Sequence, residues 1–195
     1  MTNQTIKYYK ENAKEFSEDT YDLEMDEVWH KFTSLLGKNS KILDAGCGSA
    51  RDSNHFLSLG FDVVSMDPVT EFNSFAKERF NIDILNLSFQ EIEFENEFNA
   101  IWACASLLHV PMNEMKDVFS KLNKAIKSSG LLYCSFKCGD YEKTKKGRLF
   151  SSFTEETFNQ FLKENPLFSI KELWTTQDKR VGREDEKWLN LLLKK

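Results

Sequence analysis

"KILDAGCGSARDSNHF", Lys41 to Phe56, decides the fold. An apolar run stops at Asp44, Gly46 and Gly48 follow, and a polar segment with helical character begins at Ala50 and Arg51. A strand that feeds a glycine loop and then a helix presents backbone N–H groups and a helix N-terminus to an anionic or polar ligand. An acidic residue about twenty positions further on, closing the next strand, is the expected partner of a ribose. Asp67, nineteen residues after Gly48 and at the end of "VVSM", meets that requirement.

The spacing discriminates between nucleotides. A dinucleotide loop of the G-x-G-x-x-G kind puts a third glycine at position 51, where helix and strand approach closely. Arg51 stands there and argues against NAD. In the register Asp44-x-Gly46-x-Gly48-x-Ala50 the last position needs only a small residue, and Ala50 suits it with a negative φ. That register favours a nucleoside with an amino-acid tail.

Outward from the loop, strand-like and helix-like segments alternate from residue 25 to about 163, the pattern of a parallel sheet covered by helices. "FDVVSMD" reads as the second strand, "IDILNLS" as a short third, and "FNAIWACASLL" as a central strand buried on both faces. Met115, Val118, Phe119, Leu122, Ala125 and Ile126 form one face of a helix that Gly130 is expected to stop, before the strand "LLYCSF". Thr154 caps a helix carrying Phe158, Phe161 and Leu162. "FSIKELWTTQ" and "KWLNLLLKK" have no helix between them and pair antiparallel. The charged stretch 137–150 reads as an exposed loop at the ligand crevice.

Composition narrows the function classes. The chain has 195 residues, the size of a single domain (1–195) whose first 24 residues form a lid-like segment. Its net charge of -5 gives no overall attraction to nucleic acid. No apolar run approaches the roughly 20 residues a membrane span needs, and the polar N-terminus shows no signal-peptide core. Four Cys without C-x-x-C spacing and three scattered His form no metal site and fit reduced thiols in the cytoplasm.

"LDAGCGSARDSNHF", "VVSMD" and "FNAIWACASLLHVP" together resemble the class I S-adenosylmethionine-dependent methyltransferases, with the closest likeness to the small bacterial branch grouped with tellurite-resistance methyltransferases. The resemblance implies a Rossmann-like α/β fold with a seven-stranded, mostly parallel sheet in the order 3-2-1-4-5-7-6, strand 7 antiparallel. It implies methyl transfer from S-adenosylmethionine, leaving S-adenosylhomocysteine. Asp44, Gly46, Cys47, Gly48 and Ala50 would surround the methionine part, with Arg51 reaching its carboxylate or pairing with Asp52. Asp67, followed by Pro68, would hold the ribose, and Ser88, Phe89 and Gln90 would cover the adenine. Ala103, Cys104 and Ala105 would face the methionine amino group, and Tyr9 would close over the cofactor.

His109, just past the fourth strand, is the candidate general base, or else a polar residue shaping the loop before Pro111. Lys137 and Arg148 are candidates for recognising an anionic acceptor, although Lys137 also reads as a solvated loop residue. The acceptor expected is a small molecule. RNA or protein acceptors, or cofactor binding without catalysis, are the competing readings.

Overall fold

A computed structural model describes residues 1–180, 182–183 and 185–195. Two helices, α1 (Asn3–Glu18) and α2 (Asp26–Thr33), precede the first strand. There follow β1 (Lys41–Ala45), α3 (Arg51–Ser58), β2 (Asp62–Met66), α4 (Glu71–Phe80), β3 (Ile84–Leu85) and β4 (Phe98–Ala103). Then come α5 (Met112–Ala125), β5 (Ile126–Lys137), β6 (Glu142–Lys145), β7 (Arg148–Ser151), α6 (Glu155–Glu164), β8 (Ser169–Gln177) and β9 (Lys187–Lys194).

Seven strands form one sheet in the order β3-β2-β1-β4-β5-β9-β8, and β6 pairs only with β7. With that hairpin set aside, the order is the expected 3-2-1-4-5-7-6. β1 to β5 run parallel, and β9 lies antiparallel to both β5 and β8. The central strands are buried on both faces: Ile42, Leu43 and Ala45 of β1 and Ala100 to Ala103 of β4 have no exposed surface. That is why "FNAIWA" reads as an unbroken apolar run rather than an alternating one. The buried stripe of α5 covers one face with a Phe-rich cluster around Phe119, Phe136, Phe153 and Phe158. On the other face Phe32, Phe56, Trp102 and Tyr133 pack together, the last two stacked at 3.9 Å.

Local signals set most boundaries. The Thr154 hydroxyl accepts from the Thr157 N–H, and Thr157 returns the bond to the Thr154 N–H, closing the N-terminus of α6. Two readings change. α5 ends at Ala125, because Ile126 already pairs with Phe98 and buries its side chain in the core. Gly130 therefore lies inside β5, where the register against β4 shifts. A Cβ there would stand 2.4 Å from Ile126 Cγ2 and 2.7 Å from the Asn99 carbonyl oxygen, so only glycine fits without a shift. The stretch 137–150 is no open loop either: it holds the end of β5 and most of the β6–β7 hairpin. Among the described residues no helix is long and apolar enough to cross a membrane.

Candidate cofactor and acceptor site

The loop after β1 turns through left-handed backbone at Gly46, Gly48 and Ala50, with φ of +75°, +53° and +62°. The Gly46 and Cys47 N–H groups donate to the Met66 carbonyl at 2.8 and 3.0 Å, and the Gly48 N–H donates to Asp67 Oδ2 at 3.1 Å. β2 thus holds the loop from its C-terminal end. Glycine is required at 46: a Cβ would lie 2.5 Å from that of Ser106, whose hydroxyl donates to the Ala45 carbonyl at 2.7 Å.

The positive φ of Ala50 corrects the sequence reading, which placed it at negative φ. Ala50 opens α3 fully buried, and the turn that starts the helix imposes the left-handed conformation whatever residue stands there. Left-handed backbone costs an L-residue about 1–2 kcal/mol, while glycine adds about 0.4–1 kcal/mol of unfolded-state entropy. Ala50→Gly is therefore expected to stabilise the protein by roughly 0.5–1 kcal/mol in urea unfolding. An unchanged or lower midpoint would show that alanine carries no strain there.

Asp67 is 4% exposed and takes part in none of the ion pairs found among the described residues. Its two oxygens accept from the Gly48 and Val69 N–H groups. Burial pushes its pKa up to about 6, against the opposing effect of those two bonds. A buried carboxylate with no cation and spare lone pairs matches two ribose hydroxyls as donors.

Asp44 points elsewhere. It accepts from the Ser53 hydroxyl at 2.6 Å, and Ser53 in turn receives the Ser65 hydroxyl at 2.7 Å. Burial, and then the nearby Asp52 charge, raise the Asp44 pKa. Asp52 itself is the anchor of this wall. Arg51 reaches its two oxygens at 2.8 and 3.0 Å, and the indoles of Trp29 and Trp102 donate to them at 2.9 and 2.8 Å. Burial works to raise the Asp52 pKa, but Arg51 and the indole donors outweigh it and bring the pKa below its usual value. Of the two roles read for Arg51, the pairing with Asp52 is formed. Neither tryptophan is legible as part of the site from local sequence, because they come from α2 and β4.

A cavity of about 730 Å³ opens at the C-terminal ends of the strands. Tyr9, Gly46, Cys47, Gly48, Arg51, Cys104, Ala105, His109, Lys137 and Arg148 line it. Asp44, Ala50, Asp67, Pro68, Ser88, Phe89, Gln90 and Ala103 are not on its wall. α1 covers that side: Tyr9, Phe16 and Phe72 pack edge-on or tilted at 5.2 to 6.2 Å, and Phe16 lies against Gly48. The N-terminal amine also donates to Gln90 Oε1 at 2.8 Å.

Both ring nitrogens of His109 are engaged. Nδ1 lies 2.6 Å from the Leu149 carbonyl, which can only accept, so Nδ1 carries the proton. Nε2 then accepts from the Tyr9 hydroxyl at 2.9 Å. Burial lowers the His109 pKa to about 4, leaving a neutral ring near pH 7. The two basic candidates part company. Lys137 is no solvated loop residue: it ends β5, meets Asp178 at 2.7 Å and Glu186 at 2.6 Å, and lies over the Trp188 ring. Arg148 has no carboxylate in reach among the described residues and stacks over Tyr8 and Phe150, at 4.5 and 5.3 Å.

Strand order, glycine loop and the acid after β2 define the Rossmann-like fold of the class I methyltransferases. Residues 42–130 match the family described as "Methyltransferase domain". The Bacillus subtilis protein YqeM is 27% identical over 124 residues, 57% of this chain and 50% of its own, so the chain spans about half the length of that relative. Among solved structures, the 1,6-didemethyltoxoflavin-N1-methyltransferase of Burkholderia thailandensis is similar with a TM-score of 0.78 and 18% identity. The match covers 97% of this chain and 84% of that one. TehB from Haemophilus influenzae follows at 0.71 and 17%, with 95% and 67% covered.

Proposed function

We propose that the protein is an S-adenosylmethionine-dependent methyltransferase acting on a small molecule, folded as one domain with α1 as its lid. The observation that carries the reading is the unpaired buried Asp67 tied to the glycine loop. In this reading Asp67 accepts both ribose hydroxyls and the loop receives the methionine part. Ser88 to Gln90 meet the adenine once α1 moves off that side. Tyr9, Cys104 and Ala105 then border the methyl group. The small-molecule part is supported by a cavity of drug-sized volume and by a structural neighbour crystallised with 1,6-didemethyltoxoflavin and S-adenosylhomocysteine.

The bound cofactor supplies an electrophilic methyl on a sulfonium. The chain's own contribution is alignment and exclusion of water. Where the acceptor must lose a proton, the geometry gives a route through Tyr9. Its hydroxyl oxygen can take the acceptor's proton while its own passes to His109 Nε2. His109 thus acts behind Tyr9, and an acceptor that is already anionic leaves both idle.

Calorimetric titration tests the class: S-adenosylhomocysteine is expected to bind and NAD to give no heat. NAD binding in its place overturns the reading. Labelled methyl groups from S-adenosylmethionine are expected in the small-molecule fraction of a cell extract. Label in RNA or protein points to the macromolecular alternative, and binding without any transfer points to a non-catalytic cofactor-binding protein.

A further inference from the structure

The cavity wall carries ten Lys and Arg side chains against five Asp and Glu among the described residues, in a chain whose net charge is -5. Three of these cations are already paired with carboxylates. Arg51 meets Asp52, Lys137 meets Asp178 and Glu186, and Arg180 meets Asp178. Arg148 differs. It is 9% exposed, its Nε–H is buried without an acceptor, and no described carboxylate stands within ion-pair distance. Burying an unpaired guanidinium is costly unless an anion completes it.

The surroundings say how an anion would arrive. The guanidinium carbon lies over the rings of Tyr8, Tyr9 and Phe150 at 4.5, 5.8 and 5.3 Å, and the guanidinium also reaches the Tyr9 hydroxyl. The Nε–H, and the edge of the guanidinium that it shares, remain able to bind, and such an edge fits a planar two-oxygen group. Arg148 also sits beside the reaction chemistry rather than on the loop: the next residue, Leu149, accepts from His109, and Tyr9 joins His109 to α1. Arg51 stands on the glycine-loop side, so the two arginines serve different ends of the cavity.

We propose that the methyl acceptor carries a carboxylate, and that Arg148, held among Tyr8, Tyr9 and Phe150, binds it. The proposal rests on the methyltransferase reading and names its substrate class. An acceptor so held places its body between the Tyr9–His109 pair and the methionine end of the site. The outer lysines of the hairpin, Lys143, Lys145 and Lys146, attract such anions without fixing them.

The test uses the full chain saturated with S-adenosylhomocysteine, titrated by ligand-observed NMR with benzoate, with benzamide as the neutral isostere, and with phenyl phosphate. Benzoate is expected to bind about tenfold or more tighter than benzamide. Arg148→Met removes that preference, and Arg148→Lys keeps part of it because charge remains while the fork is lost. Both variants should bind S-adenosylhomocysteine within about twofold of the parent, which shows that they fold and that the cofactor site is separate. Equal binding of benzoate and benzamide, no binding of any probe, or a preference that survives in Arg148→Met overturns the proposal. A preference for phenyl phosphate overturns the carboxylate assignment. Loss of S-adenosylhomocysteine affinity in Arg148→Met, with 5′-methylthioadenosine binding intact, assigns the arginine to the cofactor's own carboxylate and also overturns it. Failure of the unmutated chain to bind S-adenosylhomocysteine instead sinks the methyltransferase reading.

Discussion

Replacing Asp52 with alanine is expected to lower the stability of the protein by about 3–5 kcal/mol, the largest effect of any single change considered. Four donor groups converge on this carboxylate: two from Arg51 and one each from the indoles of Trp29 and Trp102. Truncation leaves a guanidinium that is 16% exposed without its partner, and two indole N–H groups without acceptors. An unsatisfied buried donor costs about 1–3 kcal/mol and an unpaired buried charge more. One effect runs the other way. The Asp52 charge helps raise the pKa of Asp44, and its removal lets Asp44 ionise more easily and attract Arg51. That compensation places the outcome within the range above rather than at the sum of the separate losses. With a urea m-value of about 2 kcal/mol/M, the unfolding midpoint should fall by roughly 1.5–2.5 M. A loss below about 1 kcal/mol would mean that the four contacts are independently replaceable by water. Trp29→Phe and Trp102→Phe, which each remove one donor and leave the ion pair, should cost clearly less.

The contrast between Asp52 and Asp67 shows what local sequence carries. The placing of Asp67 against the glycine loop is legible because it depends on spacing along the chain: a glycine loop, a strand of fixed length, then an acid. The alternation of strands and helices is legible for a similar reason, since apolar runs and turn residues recur along the chain, whereas the sheet order follows only from the family resemblance. Asp52 looked only like the neighbour of Arg51. Its partners Trp29 and Trp102 lie 23 and 50 positions away, and no periodicity links an α2 residue, an α3 residue and a β4 residue. Lys137 and Arg148 share a charged stretch in the sequence, yet the antiparallel return of β9 and its preceding loop neutralises only Lys137. Backbone conformation was equally hidden at Ala50, where composition suggests an ordinary helix start and the turn demands positive φ.

Asp67→Ala is expected to weaken S-adenosylhomocysteine binding by a factor of at least about 100. Two hydrogen bonds to an ionised group are worth about 1.5–3 kcal/mol each, so losing both proposed ribose contacts costs at least about 3 kcal/mol. The change also removes the acceptor for the Gly48 N–H, so the loop loses the anchor that fixes its distance from β2. The pH dependence gives the mechanism its own signature. Burial holds the Asp67 pKa up, at about 6, and protonation replaces an acceptor by a donor on the side proposed to face the ribose. Cofactor affinity of the unmutated chain should therefore be level above about pH 7 and fall below pH 6, while the alanine variant shows no such step. Stability is a poorer readout in the same window. Between about pH 4 and 6 folded Asp67 holds a proton that the unfolded chain has released, so its contribution to stability grows as pH falls. His109, with its pKa lowered to about 4, stays neutral when folded while the unfolded ring charges, so its contribution shrinks over the same range. The two opposing slopes can hide each other in an unfolding curve but not in a binding curve. Affinity that stays flat from pH 7.5 to 5 would show that ribose recognition does not depend on an ionised Asp67, and the hydrogen-bonding role assigned to it here would have to pass to backbone groups of the loop.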